Sequence, residues 1–226
     1  MMLTLILAES SIETVPEEVS SHPSVVKHAK RKGKRPTEIL LDRSFHHKAI
    51  LKLENSHKRG RPDIVYHVLL DVTSAPLYHA NEISFYIHTI NDHIIRVGRG
   101  VKPPRAYFRF EGLFEQLFRV GNIKTPSGRE LFSVQKMSFN ELLREIAPDR
   151  VIGFSRLGRY RTLHEIVKDL GKLKNVVFVV GGFPKGHFSK EILKFLDELY
   201  SIHEMGLDSS LVVSRLIYEI EKAFKI

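Results

Sequence analysis

The chain has 226 residues, 42% of them apolar, a formal net charge of +9 and no cysteine. These values predict a folded protein with a sizeable core and exclude wholesale disorder, disulfides, thiolate zinc sites and cysteine nucleophiles. A pI of about 9.7 favours a polyanionic partner, nucleic acid before acidic membrane. The alternative is a generic solvated basic surface.

The first segment of the chain, residues 1–8, is apolar but too short to span a membrane. It also lacks the basic leader and the small-residue cleavage site of a signal peptide. We therefore interpret 3–8 as a buried strand of a cytoplasmic protein, with no membrane partner. The 12 histidines include no HExxH spacing, and so no metal site is predicted.

The polar segment that follows predicts short elements. A helix is expected at 24–31 and is closed by Gly33, and a short strand is expected at 39–42. Residues 45–53 have apolar side chains at helical spacing. The run 57–62 is interpreted as a basic loop.

The middle of the chain predicts a helix, a hairpin and a second helix. Pro62 suits the first position of a helix, and Asp63 suits its first turn. Strands at 83–90 and 93–97 flank Asn91-Asp92, which tolerate tight-turn geometry. A helix is then expected at 105–118. The first helix is expected to bury Ile64, Val68, Leu69 and Val72, and the second Phe110, Leu113, Phe114 and Leu117.

From residue 150 onward, strands and helices alternate as in βαβ units. The wholly apolar run 176–180 is typical of a strand buried on both faces of a parallel sheet. The fold class is therefore α/β, with an insertion or extension at about 55–125. The other elements expected are a strand at 151–154, a helix at 162–170, a helix from Ser189 to Tyr200, a strand or loop at 201–205, and a last helix capped by Asp208 with apolar residues Leu211, Val212, Leu216, Ile217 and Ile220.

Two glycine turns predict a ligand pocket. The turn 181–188 follows a buried strand, and the turn 202–207 follows what we take to be a neighbouring one. Ligands of open α/β sheets bind at the carboxyl ends of strands. Neither GxGxxG nor a phosphate loop is present, and so the pattern fits a nucleoside ligand. The alternative is a pair of tight structural turns.

The cations are clustered in three places, at 30–35, 58–61 and 96–109. The third cluster mixes arginines with Tyr and Phe, which offer phosphate forks and stacking platforms for unpaired bases. Arg105 and Arg109 are expected to share one face at a helix start. This pattern predicts an RNA-binding groove.

Several of these motifs resemble one family. Arg61-Pro-Asp-Ile64, Tyr86-Ile-His-Thr89 and Pro104-Arg-Ala-Tyr-Phe-Arg-Phe-Glu-Gly-Leu113 are similar to segments of the ribosome-biogenesis pseudouridine N1-methyltransferases, in the same order along the chain. The turns at 181, 206–207 and 209–210 resemble that family's cofactor loops.

The resemblance implies a single SPOUT domain over 1–226: a parallel sheet with a C-terminal trefoil knot, an RNA-binding insertion at about 55–125 and a cofactor-binding knot at about 150–226. It also implies S-adenosylmethionine as cofactor, small-subunit ribosomal RNA as substrate, a homodimer, and ribosomal proteins as further partners. Its implied RNA-binding residues are Arg61, Lys102, Arg105 and Arg109. Lys102 stands where some relatives have arginine. The implied cofactor-binding residues are Gly181, Gly182, Gly186, Ile202, His203, Glu204, Met205, Gly206 and Leu207.

Arg61 and Asp63 are the candidate catalytic residues. Methylation of the pseudouridine N1 requires loss of its proton, which a general base or a cation that favours the anion would assist. Asp63 is either that base or the partner that holds Arg61 in place. The second role is favoured, because an ion-paired carboxylate is a poor base.

The main competing hypothesis is an RNA-binding ribosome-assembly factor whose catalysis is secondary or absent. The basic groove serves both hypotheses, but only an enzyme requires an intact cofactor pocket. A DNA-binding or membrane-surface protein has only the charge in its favour, because neither a helix-turn-helix pattern nor a basic amphipathic helix is found.

Overall fold

An eight-stranded mixed sheet forms the centre of the protein. The computed structural model describes residues 2–171 and 173–225. The strands are β1 (Met2–Ser10), β2 (Ile83–Thr89), β3 (His93–Val97), β4 (Asn122–Lys124), β5 (Glu130–Lys136), β6 (Arg150–Tyr160), β7 (Asn175–Gly181) and β8 (Glu198–Ser201). Their order in the sheet is β4-β5-β3-β2-β1-β7-β6-β8.

The α/β class is confirmed, but the expectation of a parallel sheet is only half right. Strands β2, β1, β7, β6 and β8 pair in parallel, whereas β3, β5 and β4 extend the sheet by antiparallel pairing. The short link between β2 and β3 allows only a hairpin, because a parallel crossover needs a much longer connection. Asp92 takes φ 52° in that turn.

Two helical layers cover the sheet, because successive side chains of each strand point to opposite faces. Leu3, Leu5 and Leu7 of β1 belong to the larger core, and Ile6 and Ala8 to the smaller one on the other face. None of the helices within the described ranges is long and apolar enough to cross a membrane. The helices are α1 (Glu17–Ser20), α2 (Pro23–Lys32), α3 (Arg43–Ile50), α4 (Pro62–Ser74), α5 (Pro76–His79), α6 (Tyr107–Val120), α7 (Phe139–Ile146), α8 (Leu163–Lys168), α9 (Lys190–Leu193) and α10 (Ser209–Phe224).

Helices α1 to α3 have a separate apolar cluster and are attached to α6 by a buried carboxylate. Glu115 of α6 is 3% exposed. It accepts hydrogen bonds from Lys32 Nζ (2.6 Å), Lys34 Nζ (2.6 Å) and the backbone N–H of Leu40 (3.0 Å). A buried carboxylate is tolerated when its oxygens are paired in this way. Part of the first basic cluster is therefore used for packing.

Two predicted elements are wrong. Residues 39–42 form only an isolated bridge between Leu40 and Thr14, and Asp42 instead caps α3 by accepting from the N–H of Ser44. The helix predicted from Ser189 ends at Leu193. Tyr200 belongs to strand β8, because parallel pairing with β6 satisfies that backbone.

Smaller differences concern the faces of the helices. Ile64 and Leu113 are only partly buried, and Leu211 is 40% exposed. Helix α6 begins at Tyr107, and so Arg105 lies before it. The expectation that Arg105 and Arg109 share a helical face is therefore wrong.

Candidate active site

A pocket of about 430 Å³ lies where β7 and β8 end, beside the middle of β6. Its walls come from the segment after β7, the segment after β8 and residues 154–156 of β6. Because β6 lies between β7 and β8 in the sheet, the two glycine turns do not follow neighbouring strands as the sequence suggested. These central residues of β6 lie between the two strands that carry the turns.

The pocket contains most of the residues predicted to bind the cofactor. Those that line it are Gly181, Gly186, Ile202, His203, Met205, Gly206 and Leu207. Gly182 does not, because it packs on β1, where an added Cβ would lie 2.3 Å from Ser10 Oγ. Glu204 lines a neighbouring shallow hollow with Arg156 and Tyr160.

The walls combine apolar side chains with a few hydroxyl groups. Phe154, Val180 and Tyr200 are 6%, 3% and 2% exposed and give the pocket a buried apolar floor. Ser209 Oγ donates to the carbonyl oxygen of Gly181 at 2.5 Å, which ties the start of α10 to the end of β7. Such a mixture suits a nucleoside, whose ring needs apolar walls and whose edges need polar groups.

The turn after β7 is held by its neighbours. Gly186 takes φ 100°, a conformation that favours glycine. An added Cβ there would lie 3.2 Å from His57 Nε2 and 3.5 Å from Lys58 Cε. The turn therefore packs directly against the segment before α4.

Arg61 and Asp63 line a second hollow, of about 280 Å³, beside the pocket. Arg61 Nε lies 2.8 Å from Asp63 Oδ1, and Arg61 Nη2 lies 2.7 Å from Asp63 Oδ2. The hydrogen bond to Asp63 raises the pKa of Arg61, and so the guanidinium stays charged. The residues shared by the second hollow and the pocket are Phe183, Pro184, Leu207, Asp208 and Ser209.

The segment before α4 is a loop as predicted, apart from a 3-10 turn at Ser56–Lys58, but the other cations of the second basic cluster are buried in it and are not a free basic surface. Lys58 Nζ lies 2.8 Å from Glu9 Oε2, and the Arg59 guanidinium binds the Glu13 carboxylate at 2.8 and 2.6 Å. Lys58 and Arg59 are each 7% exposed. These two side chains are therefore structural, and only Arg61 of this cluster is half exposed.

Lys102, Arg105 and Arg109 are exposed and make no ion pair within the described ranges. The hydroxyl of Tyr66 on α4 donates to the carbonyl oxygen of Arg105, and Arg105 Nη2 lies 3.5 Å from Ser74 Oγ at the end of α4. The guanidinium of Arg109 lies 5.8 Å from the centroid of the exposed Phe108 ring. Of the four predicted RNA-binding residues, Arg61 lies at the start of α4, Arg105 contacts its end, and Arg109 lies in the first turn of α6. Lys102 follows Val101, whose backbone N–H donates to the Tyr78 hydroxyl on α5.

The sequence interpretation missed several residues of this site. Phe183 lines both hollows, and Arg156 lines the pocket from within β6. Asp208 also lines both hollows, and its side chain makes no capping hydrogen bond to α10. A phenylalanine inside a glycine turn was the available signal for Phe183, whereas nothing in the sequence marks Arg156.

The chain is similar to known methyltransferases over nearly its whole length. The EMG1/NEP1 methyltransferase family model matches residues 5–221. The ribosomal RNA small subunit methyltransferase Nep1 of Thermococcus onnurineus is 38% identical over 97% of this chain and 98% of its own length. The Nep1 of Pyrobaculum neutrophilum is 41% identical over 97% of both chains.

A solved structure agrees over the whole length. The crystal structure of Archaeoglobus fulgidus Nep1 bound to S-adenosylhomocysteine superposes with a TM-score of 0.88 at 34% identity, covering 100% of both chains. Full-length similarity in sequence and in fold agrees with the motifs identified at 61–64 and 104–113. The chain therefore belongs to the EMG1/NEP1 methyltransferase family.

Proposed function

We propose that this protein uses S-adenosylmethionine to methylate N1 of a pseudouridine in small-subunit ribosomal RNA. The observation that carries the proposal is the shared wall between the pocket and the Arg61–Asp63 hollow. A methyl donor in the first and a base in the second would meet at Phe183 and Leu207. The similarity to an S-adenosylhomocysteine-bound Nep1 supports the same placement.

The residues of the pocket fit the cofactor. Ile202, Leu207 and Val212 supply apolar contacts for an adenine ring, and the turn at 202–207 supplies backbone polar groups. That turn is shaped by Ser201 Oγ, which donates to the His203 carbonyl oxygen at 2.8 Å. When bound, S-adenosylmethionine supplies an activated methyl group and leaves as a neutral thioether, so the protein mainly has to align the reactants.

Arg61 is the residue that we assign to the substrate. Its guanidinium is charged, half exposed and fixed by two bonds to Asp63. It can therefore bind a phosphate or stabilise negative charge that develops on the base. Asp63 orients Arg61, because a carboxylate engaged through both oxygens is a poor proton acceptor.

Lys102, Arg105 and Arg109 extend this site as an RNA-binding surface, so that the RNA-binding role falls to residues 55–125. Base extrusion from a hairpin loop would bring the target nucleotide into the second hollow. We further infer that the C-terminal chain forms a trefoil knot over about 150–226, that the single domain works as a cytoplasmic homodimer, and that ribosomal proteins are nearby partners. The position of β6 between β7 and β8, and the return of α10 to pack on α4, support the knot.

The test is calorimetric titration with S-adenosylmethionine and S-adenosylhomocysteine. Nothing lies within 4 Å of a Cβ added at Gly206, and so Gly206→Ala should fold as the wild type does and serves as the size control. Gly206→Trp should fill the pocket and abolish binding. If the folded wild type did not bind either compound, the proposed enzymatic function would be wrong. The hypothesis of a non-catalytic RNA-binding assembly factor would then remain.

A further inference from the structure

An exposed aromatic ring on the N-terminal helices lies outside the site described above. Phe45 of α3 is 44% exposed. Its ring centroid lies 4.1 Å from that of the buried His28 and 5.3 Å from the guanidinium carbon of Arg31. Burial and the neighbouring cations lower the pKa of His28, so this imidazole is neutral. It packs against one side of the Phe45 ring and leaves the rest of that ring exposed.

The cations around Phe45 are not neutralised by acidic partners. Lys27, Lys30, Arg31 and Lys48 are exposed, and none of them forms an ion pair with any residue that the structure describes. By contrast, Lys32 on the same helix is paired with Glu111 at 2.9 Å and with Glu115 at 2.6 Å. Lys27 lies one helical turn before Arg31 on α2, and Lys48 lies three residues after Phe45 on α3, so helical spacing places these free cations next to the Phe45–Arg31 pair. The paired Lys32 instead faces the protein.

This surface is continuous with the basic segment before α6. The pairing of Lys32 with Glu111 fixes α2 against α6, and the hydroxyl of Tyr107 donates to Asp42 Oδ2, at the start of α3, at 3.3 Å. Tyr107 directly precedes Phe108 and Arg109. An exposed phenylalanine beside an arginine thus occurs on each side of this junction, as Phe108 with Arg109 and as Phe45 with Arg31.

We propose that the surface formed by Lys27, Arg31, Phe45 and Lys48 binds unpaired nucleotides of the RNA that flank the modified stem-loop. An aromatic ring beside unpaired cations is the combination that binds single-stranded nucleic acid, with a base stacked on the ring and its phosphates held by the cations. The free positive charge and the link through Tyr107 to Phe108 and Arg109 favour RNA over an uncharged partner. This inference rests on the proposed methylation of RNA, but it assigns a second contact region.

The experiment compares two fluorescein-labelled RNAs by anisotropy. One is a stem-loop with pseudouridine in its loop, and the other carries in addition a single-stranded extension of about ten nucleotides, within the site size of single-strand-binding modules. We expect Phe45→Leu to weaken binding of the extended RNA by about 5- to 100-fold, the range for loss of one stacked base. Binding of the plain stem-loop should stay within about 2-fold, below the smallest effect expected for one stacked base. Phe45→Trp should retain the wild-type affinity for both RNAs.

Arg31→Gln tests the same surface without altering the apolar contact with His28. It should weaken only the extended complex and should reduce the slope of log affinity against log salt by about 0.7, as for one phosphate contact to a single strand. Arg144→Gln, an exposed arginine of α7, is the matched control and should leave both RNAs unchanged. Equal affinity of wild type, Phe45→Leu and Arg31→Gln for the extended RNA would overturn the proposal. Methylation of the plain stem-loop by the wild type tests the proposed function separately.

Discussion

Lys58 and Glu9 form a buried ion pair in which Lys58 Nζ lies 2.8 Å from Glu9 Oε2, with side chains only 9% and 10% exposed. The backbone N–H of Ser189 donates to the same carboxylate at 3.2 Å. Lys58 Nζ also lies 4.4 Å from the centroid of the Phe183 ring. One carboxylate at the end of β1 therefore joins the segment before Arg61 to the turn that lines the cofactor pocket.

We expect Lys58→Met to lower the free energy of unfolding by about 3–5 kcal/mol, because it leaves the Glu9 charge buried without its partner. The double change Glu9→Gln with Lys58→Met should cost less than the single change. Denaturant unfolding of the two single variants and the double variant measures this coupling. Additive effects would show that the two groups do not depend on each other.

The orienting role of Asp63 can be separated from a role as base. Asp63→Asn removes the charge that holds Arg61, and so it should weaken RNA binding by about 10-fold, as when one charge-assisted hydrogen bond is lost. The single-turnover rate at saturating RNA should fall by less than about 10-fold, since a lost general base typically costs 100-fold or more. Rapid-quench measurement with saturating RNA and cofactor gives this rate directly. A fall of the size of a lost base would assign proton transfer to Asp63.

The fully buried His46 makes stability depend on pH. Its Nδ1 accepts from the N–H of Asp42 at 3.0 Å, and its Nε2 lies 2.9 Å from Nδ1 of His28. Burial, followed by the nearby His28, lowers the pKa of His46 to about 4 from 6.5, while Asp42 opposes the shift and Lys32 and His22 add to it. The folded state therefore binds fewer protons than the unfolded chain between these values.

Stability from this group is fully present above about pH 6.5 and is lost as the pH falls towards about 4, at about 1.4 kcal/mol per pH unit for one proton. We expect His46→Gln to be less stable at pH 7.5 but to show a shallower loss on acidification. Urea unfolding between those limits compares the two proteins. Parallel pH profiles for the wild type and the variant would mean that His46 does not titrate on unfolding.

The fold was predictable where the local pattern decides the structure. The apolar run of β7, the hairpin around Asn91-Asp92 and the start of α4 at Pro62 all agree with the structure. The glycine turns predicted a ligand pocket, and both of them line a pocket in the structure. Each of these features depends on the backbone preferences and the apolar pattern of a short segment, which can be read from that segment alone.

The rest depends on long-range pairing, which no local pattern shows. Tyr200 was predicted to lie in a helix but belongs to a strand that pairs with β6. Lys58 was predicted to be a surface cation but forms an ion pair with Glu9, 49 positions away in the sequence. Residues 122–146 gave no prediction, although they supply β4, β5 and α7. The adjacency of Arg61 to the cofactor pocket likewise follows from the tertiary packing of α4 against α10.

The RNA contacts at the start of α6 should be electrostatic. Lys102, Arg105 and Arg109 are exposed and free of ion pairs in the described ranges, so each that binds a phosphate displaces condensed counterions. Arg105→Gln and Arg109→Gln should each weaken binding of the stem-loop RNA and lower its salt slope by about 0.7–0.9. Titrations at several salt concentrations give these slopes.

Lys102→Arg should bind at least as tightly as the wild type, because a guanidinium adds a second hydrogen bond to a phosphate. Lys194→Gln, in which an exposed cation already paired with Glu191 is removed, is the control. If it lowered the slope as much as Arg109→Gln, the RNA contacts would reflect overall charge rather than this surface.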